Sequence, residues 1–398
     1  MSKAVTGGFR LSRVINAAGT MTSLGSSLVV PEAIEAAASI QQQFVKIDEL
    51  QARASQAIAR ATGAEAGLVT ACSASGMVLA IAATMTGLDL ARIERLPDVT
   101  GLPSEVVVQA GHLINYGAPI AQAIRLAGAE VVVAGTAAQV ETFHIEDAIT
   151  EQTAAALFVV SHHVVQDGQT DLPEFIAICK ARGIPTIVDM ASEYDLRGAI
   201  ARGADIAIYS AHKFLGGPTA GIIAGRKKLV QACFLQNGGI GRPMKVGKEG
   251  IIGTIAALEA WAQRDHAAIK AKEDCAIHYW LEELSSVTGL ACDIHADWTG
   301  NPIDRLRVSV RPVEAGLYAW ELADRLANRD PAIYVRDDLV EHGYFFLDPC
   351  NLKPGDEKEI VAAMRDILAS ARIQGDGLCA SFTERRRRKL AAHLRWPD

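Results

Sequence analysis

A lysine and an aspartate stand out in this chain because each lies where a predicted strand ends. Lys213 follows the strand-like run Ala204–Ile208, and Asp189 closes the apolar run that begins at Thr186. An acid at the end of an apolar run has little reason to be there unless a cation meets it. A lysine that forms a Schiff base, with a carboxylate that keeps a pyridinium ring cationic, is what pyridoxal phosphate (PLP) requires. The alternative is a helix-capping aspartate and a surface lysine.

Further polar side chains follow other predicted strands, where ligands bind in parallel α/β sheets. Ser73, Ala74 and Ser75 lie between a strand and a helix, so their amides can reach a phosphate. An ordinary strand-to-helix turn looks the same. His112 follows another strand and is predicted to stack on the pyridine ring, although an isolated histidine also occurs as a polar core or surface residue. The remaining candidates are predicted to contact cofactor or substrate (Ser161, His162) and to bind phosphate or transfer protons (Ser210, His212).

A glycine-rich loop near residue 240 concentrates positive charge. It contains Arg242, Lys245 and Lys248, which predict a clamp for a substrate carboxylate or phosphate, with Arg242 giving a bidentate grip. A solvated loop before a helix is the alternative. Thr254, near the start of the following helix, is predicted to donate to a phosphate. No metal site is expected, because the histidine pair that includes His162 lacks a third ligand nearby in the motif.

Alternating strand and helix patterns predict how these residues are positioned. Fully apolar strands separated by helical stretches are typical of an α/β fold with a mostly parallel sheet covered on both faces. We predict seven strands in this sheet, including an added edge strand at Ile222–Ala224. Single helices are predicted over Ile34–Thr62 and from Gly250 to about Leu284. The other predicted strands are Ala66–Thr70, Glu105–Gln109, Glu130–Ala134, Ala155–Ser161, Thr186–Asp189 and Ala204–Ser210.

The length of 398 residues is too great for one small core and predicts two domains. We predict an N-terminal arm over residues 1–29, a large PLP-binding domain over 30–255, a smaller C-terminal α+β domain with its linking helix over 256–375, and a basic tail over 376–398. The cations at Arg385–Lys389 are interpreted as a solvated helix face or tail rather than a nucleic-acid or membrane patch.

Composition excludes several classes of function. The net charge of −7 argues against nucleic acid as the main partner. The seven cysteines are widely spaced without a CxxC pair, so neither a disulfide framework nor a zinc site is expected, and a cytoplasmic location is the simplest setting. No charged-then-apolar leader and no apolar run of roughly 18 residues is found, so we expect a soluble protein without membrane contact.

Six collinear segments carry a resemblance to a known family. Between about Arg13 and Trp261 they read RVINAAGTMTSLG, ATGAEAGLVT, VVVQAGHLINYGAPI, PTIVDMASEYDLR, GADIAIYSAHKFLGGPTAGIIAGRKKL and GIGRPMKVGKEGIIGTIAALEAW. The chain resembles the selenocysteine synthase-like group of fold-type I PLP enzymes, and within it the D-glucosaminate-6-phosphate ammonia-lyases. The resemblance implies the aspartate aminotransferase-like fold and a homodimer or higher homo-oligomer with active sites between subunits. It supports the roles of Asp189 and Lys213, and implies that Thr254 and the Gly241–Lys248 loop serve the neighbouring subunit's site.

Two features depart from this group. Ile15-Asn16-Ala17 begins almost at once, without the extra N-terminal tRNA-binding domain of bacterial selenium transferases, so tRNA is not the expected substrate. His212 stands where the ammonia-lyases tend to have glycine, which resembles class V aminotransferases and cysteine desulfurases.

We predict a PLP-dependent lyase that removes the β-hydroxyl and ammonia from a small, anionic hydroxy or sugar amino acid, giving a 2-keto acid. Lys213, Asp189 and His212 are the predicted catalytic residues. Racemase, aldolase or aminotransferase chemistry, and a non-catalytic PLP-binding protein, are the alternatives.

Overall fold

The computed structural model describes residues 11–374, 377–379 and 381–395. Its strands, in chain order, are β1 (Val14–Ala17), β2 (Ala66–Thr70), β3 (Glu105–Gln109), β4 (Glu130–Ala134), β5 (Thr153–Val159), β6 (Thr186–Asp189), β7 (Ile206–Ser210), β8 (Gly221–Gly225), β9 (Leu290–Ala296), β10 (Asp304–Val310), β11 (Ala332–Val335) and β12 (Tyr344–Leu347). Its α-helices are α1 (Pro31–Gln41), α2 (Ile47–Thr62), α3 (Ser73–Thr86), α4 (Leu90–Arg95), α5 (Ile120–Leu126), α6 (Thr142–Ala148), α7 (Leu172–Ala181), α8 (Gly198–Ala201), α9 (Lys227–Leu235), α10 (Lys248–Gln263), α11 (His266–Ser285), α12 (Pro312–Ala315), α13 (Ala319–Ala327), α14 (Asp356–Gln374) and α15 (Phe382–Leu394).

The largest sheet in these residues has seven strands in the order β2-β8-β7-β6-β5-β3-β4. All pairs are parallel except those of β8, which runs antiparallel to β2 and to β7. The predicted seven-stranded, mostly parallel sheet is therefore confirmed. The prediction that Ile222–Ala224 forms an edge strand is wrong, because β8 lies inside the sheet and β2 forms its edge.

The strands of this sheet are apolar on both faces because helices cover both. In β3, Val107 packs in a cluster with side chains of α2, α7 and α10, whereas Val106 and Val108 pack with side chains of α3, α5 and α9. Successive side chains of a strand point to opposite faces, so each strand supplies both clusters. A one-residue slip would exchange the two sets, and the register is therefore fixed by packing.

The chain divides into two compact units. The large unit contains residues 27–264 and 298–301, and the small unit contains residues 11–26, 265–297 and those from 302 onward. Compared with the predicted domains, the boundary lies at Arg264 rather than after residue 255. The first described residues belong to the small unit rather than to a separate arm, because β1 pairs in parallel with β11. Strands β9, β10 and β12 form an antiparallel sheet in this unit.

The helix predicted over Ile34–Thr62 is two helices. α1 ends at Gln41, and the ammonium of Lys248 donates to the carbonyls of Gln41 and Gln43. Carbonyls in the last turn of a helix lack partners within it, so this lysine stabilises the break. Lys248 is thereby engaged within the chain, which argues against its predicted place in the substrate clamp.

The helix predicted from Gly250 to about Leu284 is also broken. Arg264 has extended backbone, with φ −68° and ψ 132°, and so ends α10. The side chain of Asp265 then accepts a hydrogen bond of 2.9 Å from the amide of Ala268, which caps α11.

The basic segment near the C-terminus forms α15 and is not a wholly solvated tail. Arg385 is 4% exposed, and its guanidinium pairs with Asp324 at 2.8 Å and with Asp337. Lys389 also pairs with Asp337, at 2.9 Å. The prediction of a solvated face is therefore wrong for Arg385; residues 375–376, 380 and 396–398 lie outside the described residues. Among the described helices, none combines the length and apolar character needed to cross a membrane.

Candidate active site

Asp189 and Lys213 meet at the carboxyl ends of neighbouring strands. Asp189 is the last residue of β6 and pairs in parallel register with Ile208 of β7, and Lys213 follows the end of β7 by three residues. Burial raises the pKa of Asp189 to about 6, although the charge of Lys213 and the amide of Ala191 lower it. The structure thus brings the predicted pair within electrostatic reach.

A serine that was not predicted from the sequence completes this pair. The ammonium of Lys213 donates a hydrogen bond to the hydroxyl of Ser192, and the amide of Ala191 donates to the Asp189 carboxylate at 3.1 Å. Both partners lie on the loop that follows β6. Ser192 could have been found from the sequence, because it lies three residues after Asp189 on the loop where ligand-binding residues are expected.

The turn between β2 and α3 is the predicted phosphate site, and phosphate binding there stays a prediction. The hydroxyl of Ser210, at the end of β7, donates to the hydroxyl of Ser73 at 2.9 Å. The amides of Ser73 and Ala74 belong to the first helical turn, where backbone N–H groups have no partner within the helix. Ser75 differs from the prediction, because its hydroxyl accepts a hydrogen bond of 3.0 Å from the Cys72 amide in the capping box of α3 and donates to the Cys72 carbonyl at 2.7 Å. Ser73, Ala74 and Ser210 are therefore the better candidates.

Glycine at position 221 allows β8 to approach this turn. A Cβ atom at Gly221 would lie 2.3 Å from the carbonyl carbon and oxygen of Cys72. Any side chain there would displace the cradle, so the turn depends on this glycine.

His112 is an uncharged, buried histidine. Burial lowers its pKa to about 4, and its Nδ1 accepts a hydrogen bond of 3.1 Å from the amide of Val159, so the proton lies on Nε2. Its ring meets Phe158 edge to face at 4.5 Å. With 2% of its surface exposed, His112 shows no open face for a pyridine ring, and stacking stays a prediction.

His212 lies beside the lysine with one ring nitrogen unsatisfied. It is 9% exposed, and its buried Nδ1 has no hydrogen-bond partner among the described residues. Burial and the charge of Lys213 lower the pKa of His212, while a hydrogen bond to the backbone of Ala220 raises it. Unpaired buried polar atoms are rare in folded proteins and often indicate a missing ligand.

The loop after β5 carries Ser161 and His162. The hydroxyl of Ser161 accepts a hydrogen bond of 3.2 Å from the amide of His163. The ring centroids of His162 and His163 lie 3.7 Å apart. The ring of His162 also stacks at 6.4 Å on Trp298. The predicted contacts of Ser161 and His162 with cofactor or substrate stay predictions.

Tyr116, which is 37% exposed, is a residue near Asp189 that sequence reasoning missed. Burial raises the pKa of its phenol to about 12, and the charges of Asp189 and Cys72 add to this. The charges of Asp189 and Cys72 thus reach the phenol of Tyr116. The sequence feature that could have indicated Tyr116 is its place in the loop NYGAP after His112. In the structure, Gly117 of this loop adopts a left-handed φ of +114°.

Arg242 and Lys245 of the cationic loop are exposed and form no ion pair among the described residues. Their predicted substrate contact is untested. Thr254, by contrast, is fully buried within α10, and its hydroxyl donates to the carbonyl of Gly250 at 2.7 Å. This geometry argues against Thr254 as a phosphate donor, in its own chain or a neighbouring one.

The described residues fit PLP. Asp189 and Lys213 match the pyridinium partner and the Schiff-base amine, and the α3 turn with Ser73 and Ser210 matches a phosphate. His212, whose Nδ1 is unpaired, precedes Lys213 in the chain.

Comparisons with known proteins show the family of this chain. The family model for SelA, L-seryl-tRNA selenium transferase, matches residues 14–274. D-glucosaminate-6-phosphate ammonia lyase of Salmonella typhimurium is 41% identical over 91% of this chain and 97% of its own. A 5'-C-glycyluridine monooxygenase-decarboxylase from Streptomyces is 36% identical over 89% and 90%, respectively.

Solved structures agree with the fold. A D-glucosaminate-6-phosphate ammonia-lyase superposes with a TM-score of 0.83 at 40% identity, covering 93% of this chain and 100% of its own. A structure entitled SPT with PLP internal aldimine, at a TM-score of 0.57 and 13% identity over 90% and 88% of the two chains, shares the fold alone. The predicted aspartate aminotransferase-like architecture, PLP fold type I, is confirmed.

Proposed function

Because this chain belongs to the SelA family and couples a buried carboxylate to a lysine, we propose that it is a PLP-dependent ammonia-lyase. Its substrate is a small anionic hydroxy or sugar amino acid, with D-glucosaminate 6-phosphate as first candidate. The similarity to the Salmonella ammonia lyase over almost the whole of both chains carries this assignment. The pairing of Asp189 with Lys213 supports it.

Each site residue has a role in this reaction. Bound PLP supplies an electron sink for the charge left when the α-proton of an amino acid is removed. Asp189 holds the ring nitrogen protonated, and Ser73, Ala74 and Ser210 bind the phosphate. Lys213, once its amine is released, takes the α-proton. Water lost with the β-hydroxyl is regained on hydrolysis, so the products are a 2-keto acid and ammonia.

His212 is assigned as the acid that protonates the departing hydroxyl. Its pKa is lowered by burial and by the neighbouring Lys213 ammonium. The contribution of Lys213 to this lowered pKa is absent whenever the amine is uncharged, whereas the contribution of burial remains.

The assay is incubation of the PLP-loaded protein with D-glucosaminate 6-phosphate, with release of ammonia and 2-keto acid measured together. We expect equal amounts of the two products, and Lys213→Ala to abolish them. D-glucosaminate, which lacks the phosphate, tests whether the phosphate is needed. L-serine, which lacks the rest of the sugar chain, tests whether that chain is needed. Keto acid without ammonia would indicate transamination, and neither product from any substrate would refute the lyase assignment.

Arg242 and Lys245 are assigned to the substrate's anionic group, since they are exposed cations without ion pairs in the described part of the chain. If the bound substrate buries the pair, Arg242→Ala should raise KM for the phosphorylated substrate by about 30-fold or more, because losing one partner of a buried charge-assisted pair costs about 2–5 kcal/mol. KM for unphosphorylated D-glucosaminate should change less than about threefold. Lys228→Ala, an exposed lysine of α9, is the control. An equal rise in KM for both substrates would mean that Arg242 binds the carboxylate instead of the phosphate, and unchanged KM for both would mean that it is a solvated surface residue.

The chain is further proposed to act as a homodimer or higher oligomer in the cytoplasm. The exposed side chains of Arg242 and Lys245, which can reach a neighbouring subunit's site, support the oligomer. The seven free cysteines support the cytoplasmic location. Sedimentation with and without PLP tests the assembly.

A further inference from the structure

Arg264, the last residue of the large unit before the chain enters the small one, binds the turn that follows Lys213. Its Nη1 donates to the carbonyl of Phe214 at 2.8 Å and its Nη2 to the carbonyl of Leu215 at 2.9 Å. Both carbonyls lie outside helix and sheet, so the guanidinium supplies the partners that such backbone groups need. A planar guanidinium suits this task because its donors are held in a rigid fork.

An aromatic stack extends this contact to the loop after β6. The guanidinium carbon of Arg264 lies 4.7 Å from the centre of the Trp261 ring. The ring of Tyr194 contacts both Trp261 and Phe214, at 4.8 and 4.6 Å between centroids. Tyr194 stands two residues after Ser192, the hydroxyl that accepts from the lysine. The stack therefore joins the two loops that carry the amine and its partner.

The turn itself is tightly restrained on its other side. Gly216 adopts a left-handed φ of +69°, and its amide donates to the carbonyl of Lys213 at 3.0 Å. Its carbonyl accepts from the amide of Val30 at 2.8 Å. Arg264 closes this set of restraints from the α10 side.

We propose that Arg264 is a positioning residue of the active site, which acts by holding the turn after Lys213 so that the amine stays directed at Ser192 and Asp189. This rests on the proposed function only in taking Lys213 as the PLP lysine. Without the guanidinium two carbonyls lose their donors and the turn relaxes. Misplacement of a reacting group by about 1 Å can cost about 10²-fold in rate. The loss should therefore fall on kcat and on the reactivity of the amine.

The test compares Arg264→Met, Arg264→Lys and the control Arg60→Met, whose guanidinium faces Glu259 at 3.8 Å on the surface. In the PLP-loaded enzyme, Arg264→Met should lower kcat by about 10²-fold with KM changed less than about threefold. In cofactor-free protein, the rate at which PLP and borohydride label Lys213 is followed across the neutral to alkaline range. In Arg264→Met, labelling of Lys213 should be about tenfold slower and its pH profile should be displaced. Arg264→Lys should recover part of the labelling rate and part of kcat.

Wild-type kcat and labelling in folded Arg264→Met would overturn the proposal. So would losses that follow only the fraction of unfolded protein, since a merely structural role predicts normal behaviour for each folded molecule. If Arg264→Met does not fold, Arg264→Lys decides, and wild-type values there overturn the proposal. Absence of labelling at Lys213 in the wild type refutes the PLP assignment itself, whereas normal labelling without turnover of any tested substrate refutes only the lyase assignment.

Discussion

Asp189 is costly to ionise in the cofactor-free chain. Its pKa is raised from 3.8 to about 6, and at roughly 1.4 kcal/mol for each pH unit this amounts to about 3 kcal/mol. Below about pH 6 the carboxyl is protonated and does not hold a cationic ring. We therefore expect the affinity for PLP to rise as the pH increases through about 6, and Asp189→Asn to bind PLP weakly without this rise.

The stability of the cofactor-free chain should show the opposite trend. An acid whose pKa is raised on folding stabilises the folded state below its unfolded pKa, and this contribution is lost as the pH rises to about 6. PLP titrations and urea unfolding at several pH values measure both effects. Asp147→Asn, an exposed residue of α6, is the control. An Asp189→Asn variant with the wild-type pH dependence would assign the titration to another group.

Helix α15 gives a prediction at the scale of an element. Arg385 is almost fully buried between Asp324 and Asp337, whose side chains are 24% and 22% exposed. Arg385→Met leaves both acids without their guanidinium and should lower the free energy of unfolding of the small unit by about 2–3 kcal/mol.

The neighbouring Arg386 is the matched control, because it is exposed on the same helix. Arg386→Met should change the free energy of unfolding by no more than about 0.5 kcal/mol. Urea unfolding followed by tryptophan fluorescence is a suitable measurement, since Trp320 contacts Phe382 of α15 at 5.5 Å. Equal effects of the two substitutions would mean that the buried pairs do not stabilise the unit.

Elements with strong local patterns were predictable, and those set by distant partners were not. The apolar strands and the residues at their ends, Asp189 and Lys213, follow from periodicity. The internal place of β8 does not, because sheet order depends on pairing between remote segments. The break after α1 depends on Lys248, about 200 residues away. Ser192 and Tyr116 lie in loops, where no periodicity indicates which side chain faces the site.

At the scale of the whole molecule, a shared fold leaves the reaction open. Relatives that match this chain over most of its length carry names as different as ammonia lyase and monooxygenase-decarboxylase. A lysine amine, an aspartate carboxylate and a phosphate site are common to PLP reactions of every kind. The substrate is instead selected by the charged and polar residues around them. His212 and Arg242 are therefore the residues by which the reaction should be distinguished.

The internal place of β8 has a consequence for how the site assembles. Asp189 and Lys213 are 24 residues apart, at and just after the ends of adjacent strands, whereas the turn before α3 meets β7 through Ser73 and Ser210, which are 137 residues apart. Loop-closure entropy makes the longer contact harder to form by roughly 1.5 kcal/mol. Strand β8 pairs with both β2 and β7 and so joins the two parts through the sheet. We therefore expect the Asp189–Lys213 pair to form earlier in folding than the contact of Ser73 with Ser210, which needs β8 to be paired with both β2 and β7.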